Sequence, residues 1–288
     1  MGKLSGYLRL LRPINCLMMG FAVIVGSALA SPDALITLGQ NLVYGFVTGF
    51  ALTAASMAIN DYFDRKIDAI NEPNRPIPSG LIKPKEALVF AFILTAIGFA
   101  TALANSCLTN ISCFLVAIIA WIIFVAYTAV GKRSGLPGNF LVSVCVAIPL
   151  IYGSIIIANE VKPNVLIFAS MAFLSITGRE VTKGIVDVQG DRMQNVKTVA
   201  VRYGEKTAAV IATLFYLSAV SLSPVPCFLP NPVSFWYIPF VAVTDFGLVA
   251  SSFVLLNNYS RENAKKVKNM ALLWLFFGLL AFFVGAFW

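Results

Sequence analysis

The sequence predicts an all-α, polytopic membrane protein: nine transmembrane helices in a bundle, N-terminus cytoplasmic and C-terminus outside. Three observations carry that reading. Of 288 residues, 59% are hydrophobic and only 12% are charged, with a mean hydropathy of +0.84; ordinary soluble domains carry about 25% charged residues. Apolar runs of about 18 residues or more recur along the whole chain. The basic residues then sort to one side when the runs are counted as membrane crossings.

Taken in order, the apolar runs between polar breaks span 14–31, 37–60, 86–105, 111–130, 138–158, 163–184, 207–225, 235–256 and 268–287. No small-residue cleavage site follows the first run, so it reads as a retained helix and not a signal peptide. The second and sixth runs each end at an acidic cluster, and Pro224, Pro226 and Pro230 crowd the end of the seventh. Such short connections leave no room for a separate soluble domain.

With alternating sides, the cytoplasmic segments hold Lys3, Arg9 and Arg12; Arg65, Lys66, Arg75, Lys83 and Lys85; Lys132 and Arg133. They also hold Arg179, Lys183, Arg192, Lys197, Arg202 and Lys206, and then Arg261, Lys265, Lys266 and Lys268. That is 20 of the 21 basic residues, with only Lys162 outside. A wrong helix count would scramble this separation. The net charge of +8 is therefore a topology signal, and a nucleic-acid-binding role has nothing left to explain.

Two acidic clusters stand out on this basic side: NDYFDRKID (Asn60 to Asp68) and DVQGD (Asp187 to Asp191). A helix continued past the second run puts Asp61, Asp64 and Asp68 at i, i+3 and i+7, one above another on one face, with Asn60 one step round. Asp187 and Asp191, at i and i+4, do the same at the end of the sixth run, with Glu180 and Lys183 on the same stripe. Stacked acids at a helix C-terminus oppose the macrodipole, so merely solvated helix ends do not account for them. Five carboxylates and an amide suit Mg2+ ions that keep positions open for phosphate oxygens. Arg65, Arg75, Lys132, Arg133 and Lys183 are candidates to take up remaining phosphate charge. Each is also a topology determinant, but Lys183 shares the stripe of Asp187.

Asp64 and Asp68 recur 123 residues later as Asp187 and Asp191 with the same DxxxD spacing. An offset of four helices is even, which suggests a parallel 4 + 4 duplication plus a ninth helix. Asp245 lies within the eighth run, where an ionisable residue is a functional candidate, with Lys183 or a cation as its partner. The chain has no histidine, which removes histidine ligands and a histidine general base. Its five cysteines are scattered without CxxC spacing and read as small apolar filler; a Cys107–Cys113 bridge across a tight external turn stays open. No GxxxxGK[ST] loop supports nucleotide hydrolysis.

These residues resemble the UbiA family of intramembrane prenyltransferases. Its N-D-x-x-D-x-x-x-D motif is present as Asn60, Asp61, Asp64 and Asp68, and its N-R-P-[IL] string as Asn74–Ile77. The second DxxxD is Asp187 and Asp191; the Y…KR element is Tyr127 with Lys132 and Arg133; the LRP is Leu11, Arg12 and Pro13. The resemblance implies one prenyltransferase domain over residues 1–288 whose central cavity opens laterally to lipid. It implies an allylic prenyl diphosphate held through Mg2+ by Asn60, Asp61, Asp64, Asp68, Asp187 and Asp191, the five aspartates being catalytic. Arg12 and Tyr127 would then contact substrate. The chain is most similar to archaeal members that move a geranylgeranyl group onto the glycerol hydroxyl of geranylgeranylglyceryl phosphate. The expected setting is the cell membrane, with the site toward the cytoplasm, membrane lipids as neighbours and no protein partner implied. Two other readings stay open here. One is an aromatic acceptor, as in quinone synthesis. The other is an ion-coupled transporter, although transporters place their sites at the midplane between inverted repeats.

Overall fold

The computed structural model describes residues 2–33, 35, 38–129 and 131–287. Residues 37 and 130, edges of two expected spans, lie outside the described residues. Helices are α1 (Lys3–Leu11), α2 (Pro13–Ala30), α3 (Gly39–Asn71), α4 (Pro84–Leu108), α5 (Ser112–Ala129) and α6 (Leu136–Ala158). They continue as α7 (Pro163–Val186), α8 (Val188–Met193), α9 (Val199–Tyr203), α10 (Glu205–Leu222), α11 (Tyr237–Asn257) and α12 (Arg261–Gly285). Among the described residues nine helices are long and apolar enough to cross a membrane, and none is replaced by a strand.

Two elements depart from expectation, α1 and the last helix, and α3 carries the continuation that the aspartate spacing called for. The segment before Pro13 forms α1, a short helix that buries Leu10 and Gly6 against Ile82 and Leu81. At 33 residues, α3 is about 50 Å long at 1.5 Å per residue, against a hydrocarbon core of about 30 Å. Its last turns, with all three aspartates, therefore project as helix beyond residue 60, as the i, i+3, i+7 spacing of the aspartates required. The last helix starts at Arg261 and not near 268, so Lys265, Lys266 and Lys268 ride on helix and not on a loop.

Neighbouring helices pack α2 on α3 and α6, α3 on α4, α6 on α7, α7 on α10, and α11 on α12. In lipid, where apolar contact with tails is as good as with protein, small residues let backbones approach. The α2–α6 crossing shows this. A Cβ on Gly26 would lie 2.0 Å from the Leu150 carbonyl oxygen, and one on Gly153 would lie 2.1 Å from that of Val23. Ser27 seals the crossing by donating to the Gly153 carbonyl at 2.9 Å. The five cysteines are free, with Cys107 exposed and Cys113 buried, so the bridge left open above is absent.

Candidate active site at the head of the bundle cavity

The first acidic motif is assembled by local helix geometry. Asp61, Asp64, Asp68 and Asn71 form one buried stripe on α3. Three cations reach it from three other places. Arg12, in the left-handed backbone conformation (φ 53°) that separates α1 from α2, pairs with Asp61. Arg75 returns from the loop after α3, whose Ile77 and Ile82 are buried against α1 and α4, and meets Asp68 at 2.6 Å and Asp61 at 3.4 Å. Lys132, in the short 3-10 turn after α5, pairs with Asp64. Carboxylates this buried need such partners, because uncompensated charge is costly away from water.

The second motif is not the straight helix end that the spacing suggested. Helix α7 stops at Val186, Asp187 takes φ −97° and ψ 6°, and α8 restarts at Val188. This bridge conformation is sparsely allowed, and active-site residues are often found in it. The i to i+4 relation survives across the break, since the Asp191 N–H donates to the Asp187 carbonyl at 3.0 Å. Burial and then repulsion by Asp187 push the Asp191 carboxyl up to about 7, while Lys132 and Lys183 pull the other way. Asn71 joins the motifs: its Nδ2 donates to the Asp187 carbonyl at 3.3 Å, and its Oδ1 accepts from the Gly190 N–H at 3.1 Å. Arg261, at the start of α12, ties the same point by donating to Val186 O at 3.0 Å and Asn71 O at 3.3 Å.

Beneath the motifs lies a cavity of about 360 Å³. Met18, Met19, Leu52, Trp121, Phe124 and Ile148 belong to its apolar wall; Arg12, Asn60, Arg75, Tyr127, Arg179, Glu180 and Lys183 supply a polar head. Lys183 and Arg179 flank Glu180 at 3.4 Å and 3.1 Å. Tyr127 lines the same head, within electrostatic reach of Asp64, Asp191, Glu180 and Lys183.

Among the basic candidates, Arg12, Arg75, Lys132 and Lys183 are thus brought together, and two are not. Arg65 donates to Tyr62 O at 2.6 Å and lies 4.5 Å over the Tyr62 ring, away from the aspartates. Arg133 is exposed, outside the cavity wall. Asp245 does line the cavity, but its partner is Ser223, which donates at 2.5 Å, and not Lys183. Sequence reasoning passed over Asn71, although it continues the i, i+3, i+7 spacing of the aspartates to i+10. Arg261 carried no signal at all, because only the fold brings α12 to the end of α3.

Hard-cation binding can be tested on the protein itself. Asn60 donates from Nδ2 to Asp64 at 2.8 Å, while its Oδ1 is buried with no hydrogen-bond partner among the described residues. An orphaned buried oxygen beside aspartates suits an ion that prefers oxygen ligands. Among the described residues no three carboxylates converge on a preformed all-protein cage.

A membrane-spanning helical bundle with an apolar cavity under a carboxylate- and cation-lined head defines an intramembrane site for an amphipathic, phosphate-bearing substrate. Residues 19–280 match the UbiA prenyltransferase family, and the chain belongs to that family. It is 37% identical to digeranylgeranylglyceryl phosphate synthase of Archaeoglobus fulgidus, over 100% of this chain and 98% of that one. A solved structure of a digeranylgeranylglyceryl phosphate synthase superposes with a TM-score of 0.73 at 32% identity, covering 99% of both chains. A UbiA homologue from Archaeoglobus fulgidus bound to DMAPP and Mg2+ shares the fold, with a TM-score of 0.67 at 20% identity over 96% of this chain and 99% of that one.

Proposed function

We propose that this enzyme transfers a geranylgeranyl group from geranylgeranyl diphosphate to the glycerol hydroxyl of geranylgeranylglyceryl phosphate. The bond from the allylic C1 to diphosphate breaks, an ether bond from C1 to the glycerol oxygen forms, and diphosphate leaves. The hydroxyl proton goes to a carboxylate of the second motif or to a diphosphate oxygen. The observation that carries this reading is the joining of both aspartate motifs, through Asn71, above a cavity with an apolar wall. Full-length similarity to digeranylgeranylglyceryl phosphate synthases supports the choice of acceptor.

Asn60 and the five aspartates would hold Mg2+, the ion with which a UbiA homologue of the same fold is bound together with DMAPP. Bound there, the ion would neutralise charge developing on the departing diphosphate. Arg12, Arg75 and Lys132 hold the first motif in place and add positive charge beside it. Trp121, Phe124 and the methionines exclude water from the allylic cation. The site would face the cytoplasm across the cell membrane, because the basic residues collect at that end. The test is turnover by purified protein with Mg2+ and geranylgeranyl diphosphate, offered geranylgeranylglyceryl phosphate or 4-hydroxybenzoate. Transfer to the glycerol phosphate is expected; transfer to the aromatic acid alone would end this reading.

A further inference from the structure

The cavity head holds a second set of charges that, among the described residues, form no ion pair with the aspartate motifs. Arg179 and Lys183 on α7 and Lys268 on α12 line it together with Glu180. Among the described residues, the carboxylate that pairs with Arg179 and Lys183 is Glu180, at 3.1 Å and 3.4 Å. Lys268 is half-buried and within electrostatic reach of Asp187 at the edge of the second motif as well as of Glu180, Arg179 and Lys183. The Arg179 Nε is buried without a hydrogen-bond partner among the described residues. A buried donor left unpaired costs about 1–3 kcal/mol, and a guanidinium in a cavity wall is built to receive an oxyanion. Three cations around one carboxylate leave two positive charges, the complement of a phosphate monoester dianion. The cations nearest the first motif, Arg12, Arg75 and Lys132, are by contrast engaged with its aspartates.

We infer that Arg179, Lys183 and Lys268 form a separate phosphate site, which holds the phosphate of the glycerol acceptor while the aspartate motifs hold the donor's diphosphate. The inference rests on the transfer reaction proposed above and names what selects its acceptor. Two anionic groups must approach in one low-dielectric head, and cations at each keep them from repelling. Anchoring the acceptor by its phosphate also leaves its hydroxyl free to meet C1, which is an orientation effect.

The experiment compares geranylgeranylglyceryl phosphate with the dephosphorylated alcohol in the wild type and in Arg179→Gln, Lys268→Gln and Lys268→Arg. Lys268 lies at the cavity edge without an ion pair among the described residues, so Lys268→Gln keeps the test open if Arg179→Gln misfolds. The wild type is expected to favour the phosphate acceptor, and the glutamine variants to lose that preference by about tenfold or more through acceptor KM, the loss expected for a charge-assisted hydrogen bond. Their KM for geranylgeranyl diphosphate should stay within about twofold, and Lys268→Arg should restore the preference. An unchanged preference in a folded Lys268→Gln, equal losses with both acceptors, or a shift confined to donor KM would overturn the inference. A wild type that transfers nothing to the phosphate acceptor would instead sink the proposed function itself.

Discussion

Asn71 clasps Gly190. The Asn71 carboxamide accepts from the Gly190 N–H at 3.1 Å, and a Cβ at Gly190 would sit 2.5 Å from the Asn71 Nδ2. A single uncharged residue at the end of α3 therefore fixes where the turn with Asp187 and Asp191 sits relative to Asp61, Asp64 and Asp68. Gly190→Ala or Asn71→Ala should push the motifs apart. We expect kcat/KM to fall by about tenfold or more, with a higher Mg2+ requirement, because misplacement of about 1 Å can cost that much. Steady-state assays across a Mg2+ series check this; unchanged Mg2+ dependence in both variants would refute the clasp.

The five aspartates differ in their partners, yet all should matter. Asp61, Asp64, Asp68, Asp187 and Asp191, each changed to Ala, should lose most transferase activity while the protein still folds. Near-normal rates in two or more of these variants, with folding checked by thermal unfolding in detergent, would defeat the metal–diphosphate assignment.

Arg75 is shared by Asp68 and Asp61. Both contacts come from the same Nη1, and the shorter lysine stem supplies the charge without placing it between the two carboxylates. Arg75→Lys should keep the fold and lose more kcat than donor affinity. Arg75→Gln should be destabilised without metal, because it leaves the buried Asp68 carboxylate without its cation while Asp61 keeps Arg12, and Mg2+ should raise its melting temperature more than that of the wild type. Equal Mg2+ responses would contradict this.

Asp191 gives a pH dependence of defined sign. Its folded carboxyl titrates at about 7, against an ordinary value of 3.8. Between those values the folded state keeps a proton that the unfolded chain has lost, so the metal-free protein loses stability as pH rises through this window. Asp191→Asn cannot lose that proton. Thermal unfolding between pH 4 and pH 8, without metal, should therefore show a steeper fall for wild type than for Asp191→Asn; parallel curves would argue against it.

At Gly153 the neighbour is backbone: the Val23 carbonyl oxygen lies 2.1 Å from where an added methyl would sit. Backbone cannot rotate away, so Gly153→Ala must separate α2 from α6. Overpacking of this kind costs on the order of 1–3 kcal/mol. A melting temperature equal to wild type would show that the crossing is loose enough to absorb a methyl group.

Hydropathy and charge asymmetry were enough to determine nine long helices, since a bilayer demands length and apolarity whatever the neighbours are. The face that gathers Asp61, Asp64 and Asp68 was legible for the same local reason, a period of 3.6 residues. Tertiary packing decided the rest. No periodicity announces that α7 breaks at Asp187, that Arg65 turns onto Tyr62, or that Asp245 meets Ser223. Arg261 lies 190 residues from the Asn71 carbonyl it binds. Arg179 and Lys268 looked like topology charges until α7 and α12 faced one cavity. A helix's own sequence sets its length and its faces; which faces meet depends on where backbones can approach, as at Gly26 and Gly153, and only the folded bundle supplies that.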